Sequence, residues 1–213
     1  CIGCNICVMG DQFSVPIRCT QNPTMGEEWR RGWHPERIEP RKSDDGILIV
    51  GAGPAGLECA LALGQRGYRV ILSESFSEMG GRVNRESLLP GLSEWGRVRD
   101  YRVQMLDRIN EVTVYLGNTL SSEEIIEFSS KEHFNYSHVM LATGSFWRND
   151  GIGRNHREPV PGLEKTYVLT PDDIMKGVSV KGQVVIFDDD HYYLGGVIAE
   201  KLRRDGHEVL LVT

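Results

Sequence analysis

The chain has 213 residues, 25% of them charged, with a formal net charge of −6, the balance of an acidic globular protein of one large domain or one domain and part of another. Hydrophobic residues at 40% supply a core; no basic block offers a nucleic-acid surface, and no apolar run reaches the length of a membrane span. Five cysteines read without any secretory context lead us to expect a reducing compartment and a cytoplasmic location.

In chain order, Cys1, Cys4, Cys7 and Cys19 come first. The run C-x2-C-x2-C sets three thiolates within seven residues, and the fourth follows after an excursion of eleven. Three thiolates so close can wrap one corner of a cubane iron–sulfur cluster, and the fourth closes the cage. A zinc knot is the alternative. Zinc sites use two separated C-x2-C pairs, so this spacing favours iron. Residues 1–24 read as loop, 26–33 as a short helix and 35–46 as a polar, proline-containing linker. Trp29 and Trp33, four apart on that helix, are expected to pack rather than to carry electrons. The six histidines show no metal spacing.

The pattern then changes. Ile47-Leu48-Ile49-Val50 is an apolar strand run, followed at once by Gly51-Ala52-Gly53-Pro54-Ala55-Gly56. Leu57 to Gln65 is helical and stops at Gly67; Cys59 within it reads as a buried core residue. Residues 69–74 form a second strand, giving a parallel β-α-β unit. A GxGxxG run alone is weak, but here it has a strand before it, a helix after it, and Glu74 eighteen residues beyond Gly56. Gly51 permits the tight turn, Gly53 lets a pyrophosphate approach the backbone, and Gly56 lets helix and strand pack. Free N–H groups at the helix start attract the phosphates. A carboxylate at Glu74 accepts from ribose hydroxyls and repels a 2′-phosphate. Gly80-Gly81 with Arg82, and Thr143-Gly144 at the end of a later strand, also fit such a site, while each taken alone reads as a turn.

Residues 93–110 read as a long amphipathic helix, 112–115 as a strand, 121–128 as a helix opened by a Ser121/Glu124 capping box, and 138–141 as a strand. After an irregular stretch, Thr170-Pro171-Asp172-Asp173 starts another helix. A strand at 183–187, a helix at 195–204 and a strand at 208–212 repeat the first unit. The fold class is thus α/β: tandem Rossmann-type nucleotide-binding units with parallel sheets, behind a cysteine-rich loop. The repeat differs at its corner, where Asp188-Asp189-Asp190 stand in place of the glycines. Carboxylates there fill the anion site with the protein's own charge, so this unit is expected not to bind NAD(P)H.

CIGCNIC at 1–7, CTQNPTMGEEWRRGWHPERI at 19–38, ILIVGAGPAGLE at 47–58, LPGLSEWGRVRDYR at 89–102, LATG at 141–144 and DDDHYYLGG at 188–196 resemble the iron–sulfur flavoprotein amine dehydrogenases, the trimethylamine, dimethylamine and histamine dehydrogenase family. The resemblance covers nearly the whole chain. It implies a glutathione-reductase-like region whose first nucleotide site holds ADP as a non-redox occupant. It further implies a 4Fe–4S cluster on Cys1, Cys4, Cys7 and Cys19, and electron exit to an electron-transferring flavoprotein. The resemblance also implies that the amine is oxidised in an N-terminal barrel carrying covalent FMN, which these residues do not include. The parent protein is expected to be a homodimer and the chain alone inactive, with a cluster easily lost from its frayed start. The chain opens on a cysteine and stops on a strand, which reads as a piece of a longer polypeptide.

The expected division is 1–45 for the cluster loop and linker, 46–165 for the FAD/ADP-type domain, and 166–213 for a truncated NAD(P)-like unit. Two other readings stand beside this one. An FAD- and NADPH-dependent reductase of the 2,4-dienoyl-CoA type uses FAD in the first site and needs nicotinamide in the second. A binding module without redox work needs only the nucleotide.

Overall fold

Ile47, Leu48 and Ile49 are at most 5% exposed, because strand β1 (Gly46–Val50) runs through the middle of a sheet and is covered on both faces. In this computed structural model, which describes residues 1–27, 29–31, 37–130 and 136–213, β1 pairs in parallel with β2 (Arg69–Ser73) on one side and β4 (Tyr136–Leu141) on the other. Strand β3 (Val112–Tyr115) extends the sheet, giving the order β3-β2-β1-β4. The chain therefore builds outward to β3 and then returns to the far side of β1, which makes the β1/β4 boundary a topological switch point.

Helix α2 (Pro54–Gln65) makes the β1-to-β2 crossover. Its buried residues Leu57, Ala60, Leu61 and Gly64 fall at the i, i+3, i+4, i+7 spacing of one face. Leu57, Ala60 and Leu61 pack with Ile47, Ile49, Val70, Leu72 and Leu106 into one core, each fully buried leucine contributing about 1.5–3 kcal/mol. A methyl on Gly64 would come within 2.5 Å of the Val112 side chain, so the helix lies down on the sheet only because that position has no side chain. Cys59 packs beside this core, and burial pushes its thiol up.

These strands belong to a first compact unit, residues 1–84 with 94–144; a second comprises 85–93 with 145–213. In the second, β5 (Val184–Phe187) and β6 (Val209–Val212) pair in parallel. Helix α7 (Leu194–Arg204) connects them and buries Ile198 and Leu202. Helix α6 (Pro171–Met175) opens with a reciprocal Thr170/Asp173 capping box. Among the described residues no helix is long and apolar enough to cross a membrane.

Three expectations needed correction. Ile6–Gln12 forms a helix, α1, inside the expected loop. Its breaker-like Gly10 is buried, and the chain folds back over it: the Val15 N–H donates to the Gly10 carbonyl at 3.0 Å. The long helix expected at 93–110 is a 3₁₀ turn, Ser93–Gly96, followed by α4 (Arg97–Leu106), with short helix α3 (Val83–Glu86) ahead of it. The expected helix at 26–33 falls partly outside the described residues; Gly26 and residues 29–31 are in turns and bends. Trp29 there is 75% exposed rather than packed, and Trp33, His34 and His133 lie outside the described residues. Helix α5 (Ser122–Ser130) carries its expected box, Ser121 N–H to Glu124 at 2.7 Å and Glu124 N–H to Ser121 Oγ at 3.2 Å.

Candidate functional site

The first unit gathers its predicted residues where β1, β2 and β4 end. Gly51 takes φ 102°, and a methyl on it would meet the Ala142 carbonyl at 2.4 Å. Only glycine turns the chain here so close to β4. Gly56 lies under the turn, where a methyl would meet the Gly51 carbonyl at 1.9 Å. Gly53 differs: a methyl on it meets nothing within 4 Å, so the space above it is open. Gly53 caps α2 without a side-chain hydrogen bond, and Pro54 holds the first helical position, where its missing N–H costs nothing. The N–H groups of Ala55 and Gly56 thus have no partner within the helix. An open cradle with unsatisfied donors fits a phosphate.

Two further turns bear on this corner. The Gly80 N–H donates to the Ala52 carbonyl at 2.8 Å, and a methyl on Gly81 would stand 3.0 Å from Gly53 Cα. Arg82 follows, half-buried, while Thr143 and Gly144 are exposed at the end of β4. Asn84 and Arg99, which sequence reasoning missed, brace the Gly80 turn. Asn84 Nδ2 donates to the Met79 carbonyl at 3.0 Å, and Arg99 Nη1 donates to Asn84 Oδ1 at 3.0 Å. No local spacing announces a pair fifteen residues apart.

Glu74 is buried at the end of β2. Its Oε2 accepts from the Ala52 N–H at 2.6 Å, and its Oε1 accepts from the Phe76 N–H at 2.9 Å and the Ser75 hydroxyl at 3.1 Å. A carboxylate offers about four acceptor positions; one is used in pinning the glycine turn to the end of β2 and two in holding the Ser75–Phe76 turn that follows. The sequence pointed to a ligand-binding carboxylate; the geometry adds a structural duty.

The equivalent corner of the second unit is closed. Asp188 is buried, and its Oδ1 accepts from the N–H groups of Asp190 and His191 at 3.1 and 3.2 Å. Its carboxyl rests against α7, where a methyl on Gly195 would meet Asp188 Cγ at 2.5 Å. Asp189 accepts from the Asn155 and His156 N–H groups at 2.7 and 3.0 Å. The Asn155 N–H foremost, then that of His156, holds its carboxyl below the ordinary value. His191 takes a positive φ of 52° to make the turn. Two loop amides of this corner, those of Asp190 and His191, are thus taken by Asp188, whose carboxyl also fills the space beside Gly195.

Cys1, Cys4, Cys7 and Cys19 are free thiols, and Cys7 sits in the first turn of α1. The Gly3 N–H donates to Cys1 Sγ at 3.5 Å, the Gln21 N–H to Cys19 Sγ at 3.3 Å, and Cys4 Sγ lies 3.2 Å from the Thr20 hydroxyl. Among the described residues no three such ligands are drawn tightly enough to hold a single metal ion. Four soft sulfurs on one short segment, two of them receiving backbone N–H groups, suit an iron–sulfur cluster, which is wider than one ion.

Residues 45–185 match the pyridine nucleotide-disulphide oxidoreductase family. The whole chain is 42% identical to part of the dimethylamine dehydrogenase of Hyphomicrobium sp. (strain x), covering 29% of that protein. It superimposes over its full length on histamine dehydrogenase from Rhizobium sp. 4-9, with TM-score 0.90 and 50% identity, covering 31% of that chain. The 6-hydroxypseudooxynicotine amine oxidase from Pseudomonas geniculata N1 is similar over the same extent, with TM-score 0.91, 47% identity and 31% coverage of its chain. The sequence thus spans under a third of each of these relatives.

Proposed function

The chain belongs to the pyridine nucleotide-disulphide oxidoreductase family, and from that premise we propose that it is the nucleotide-holding and electron-exit part of an amine dehydrogenase of the iron–sulfur flavoprotein kind. The likeness to dimethylamine and histamine dehydrogenases over its whole length supports this reading. Because the chain spans 29–31% of those proteins, amine binding and oxidation on FMN are assigned to a barrel outside these residues. The chain alone is then inactive. We assign residues 1–45 to the cluster loop and linker, 46–165 to the nucleotide domain and 166–213 to a second, degenerate unit.

Cys1, Cys4, Cys7 and Cys19 would hold a 4Fe–4S cluster, which supplies single-electron transfer. An electron-transferring flavoprotein is the proposed acceptor, and a cytoplasmic homodimer the proposed form of the whole protein. The backbone of Gly51–Gly56 would hold the pyrophosphate of ADP, with Gly81, Arg82, Thr143 and Gly144 around it. Glu74 would use its remaining acceptor position for a ribose hydroxyl and would repel a 2′-phosphate.

One contrast carries the choice of a resting nucleotide over a reductase. The first corner is open above Gly53, while the second is filled by Asp188. A 2,4-dienoyl-CoA-type reductase needs nicotinamide at that second corner. Mass spectrometry of the nucleotide released from denatured holoprotein tests the proposal. Stoichiometric ADP is expected; FAD from the first corner, with bleaching by NADPH, overturns it.

A further inference from the structure

Helix α4 buries one stripe, Val98, Arg102 and Leu106, and its middle member is a charge. Arg102 is 6% exposed. Its Nε donates to Glu58 Oε2 on α2 at 2.7 Å, and its Nη1 donates to the Val98 carbonyl at 2.8 Å and to Gln21 Oε1 at 3.1 Å. Gln21 is the residue whose N–H donates to Cys19 Sγ. Its side-chain amide also donates to the Thr20 carbonyl at 3.0 Å, and the Thr20 hydroxyl lies against Cys4 Sγ. A continuous hydrogen-bonded chain therefore runs from the helix behind the glycine turn to two of the four sulfurs.

We infer that Arg102 is a positioning residue: its guanidinium ties the Cys19 segment to α2 and keeps the backbone N–H directed at the Cys19 sulfur. A buried guanidinium needs all its directions satisfied, and only a planar fork reaches Glu58 and Gln21 together. Lysine keeps the charge but offers one point. Hydrogen bonds to ligating sulfurs stabilise the reduced, more negative cluster and raise its potential. The clamp therefore sets the potential at which electrons leave. This rests on the cluster reading above.

The test compares Arg102→Met, Arg102→Lys and Gln21→Leu with the wild type, as anaerobically prepared holoprotein. Cluster potential is followed by EPR-monitored titration. In metal-free protein, alkylation of Cys19 by iodoacetamide is measured relative to Cys1. All three variants are expected to lower the potential and to speed Cys19 alkylation several-fold relative to Cys1. Arg102→Lys behaving as wild type would reduce the role to charge and overturn the clamp, as would Gln21→Leu leaving both readouts unchanged. Should Arg102→Met fail to fold by circular dichroism, Gln21→Leu, at a half-exposed position, decides alone. If the wild type contains neither iron nor sulfide the cluster reading falls, and the alkylation contrast still judges the clamp.

Discussion

Gly53 and Gly56 lie three residues apart in one turn, and a methyl group on each meets opposite surroundings. Gly56→Ala drives a carbon into the Gly51 carbonyl and is expected to cost about 1–3 kcal/mol or more, as overpacking does. Gly53→Ala adds a methyl where nothing stands, so its nucleotide-free thermal midpoint should match the wild type, while bound nucleotide falls by about tenfold or more, a loss of ~1.4 kcal/mol of binding. Calorimetry with nucleotide quantification separates the two; equal destabilisation by both would refute an open cradle. Such positions were legible because a glycine turn between a strand and a helix has one common use. Glu74 was legible as an acid at a strand end, but not as a pin, since that duty depends on where the Ala52 and Phe76 amides point after the turn closes. Arg102 was hidden altogether. Its partner Gln21 lies 81 residues away, and a cation in a helix stripe reads from sequence as the exposed face.

At the scale of elements, the β5–α7 corner answers to acid through Asp189. Asp189 is held below its ordinary value, first by the Asn155 N–H and then by that of His156. A carboxylate depressed in the folded state contributes stability above its unfolded value of about 3.9 and loses it as the pH falls through the folded value. Tethering of the 153–156 segment to the β5–α7 corner is therefore expected to persist through neutral pH and to release only below about pH 4. The Asn155 and His156 amide resonances should shift together in that range, and Asp189→Ala should abolish the transition. A midpoint near neutrality would contradict the assignment. All six strands were legible because short apolar runs between glycine and polar punctuation mark them. Helix α1 was not, because Gly3 and Gly10 read as breakers while Gly10 in fact lies buried within the helix.

At the scale of the molecule, cover is uneven. The central strands β1 and β2 are buried by neighbours and by α2, whereas β5 and β6 pair only with each other among the described residues, and Val185, Phe187 and Leu210 are more than half exposed. Two-stranded pairings are marginal, and local opening follows such differences. In hydrogen exchange on this chain, amides of 47–50 and 70–72 are expected to be the last to exchange and those of 184–187 and 209–212 to go early. The reverse order would show that the second unit holds itself together by contacts other than these.

The closed corner also constrains the routes open to mutation. Removing Asp188 alone would strand the amides of Asp190 and His191, and removing Asp189 alone would cut loose the 153–156 segment while Asp188 still stood against Gly195. Each single step loses stability before any phosphate could enter. On the proposed reading, a lineage gaining nicotinamide binding at this corner one substitution at a time would first have to give up the hydrogen bonds of Asp188 or of Asp189.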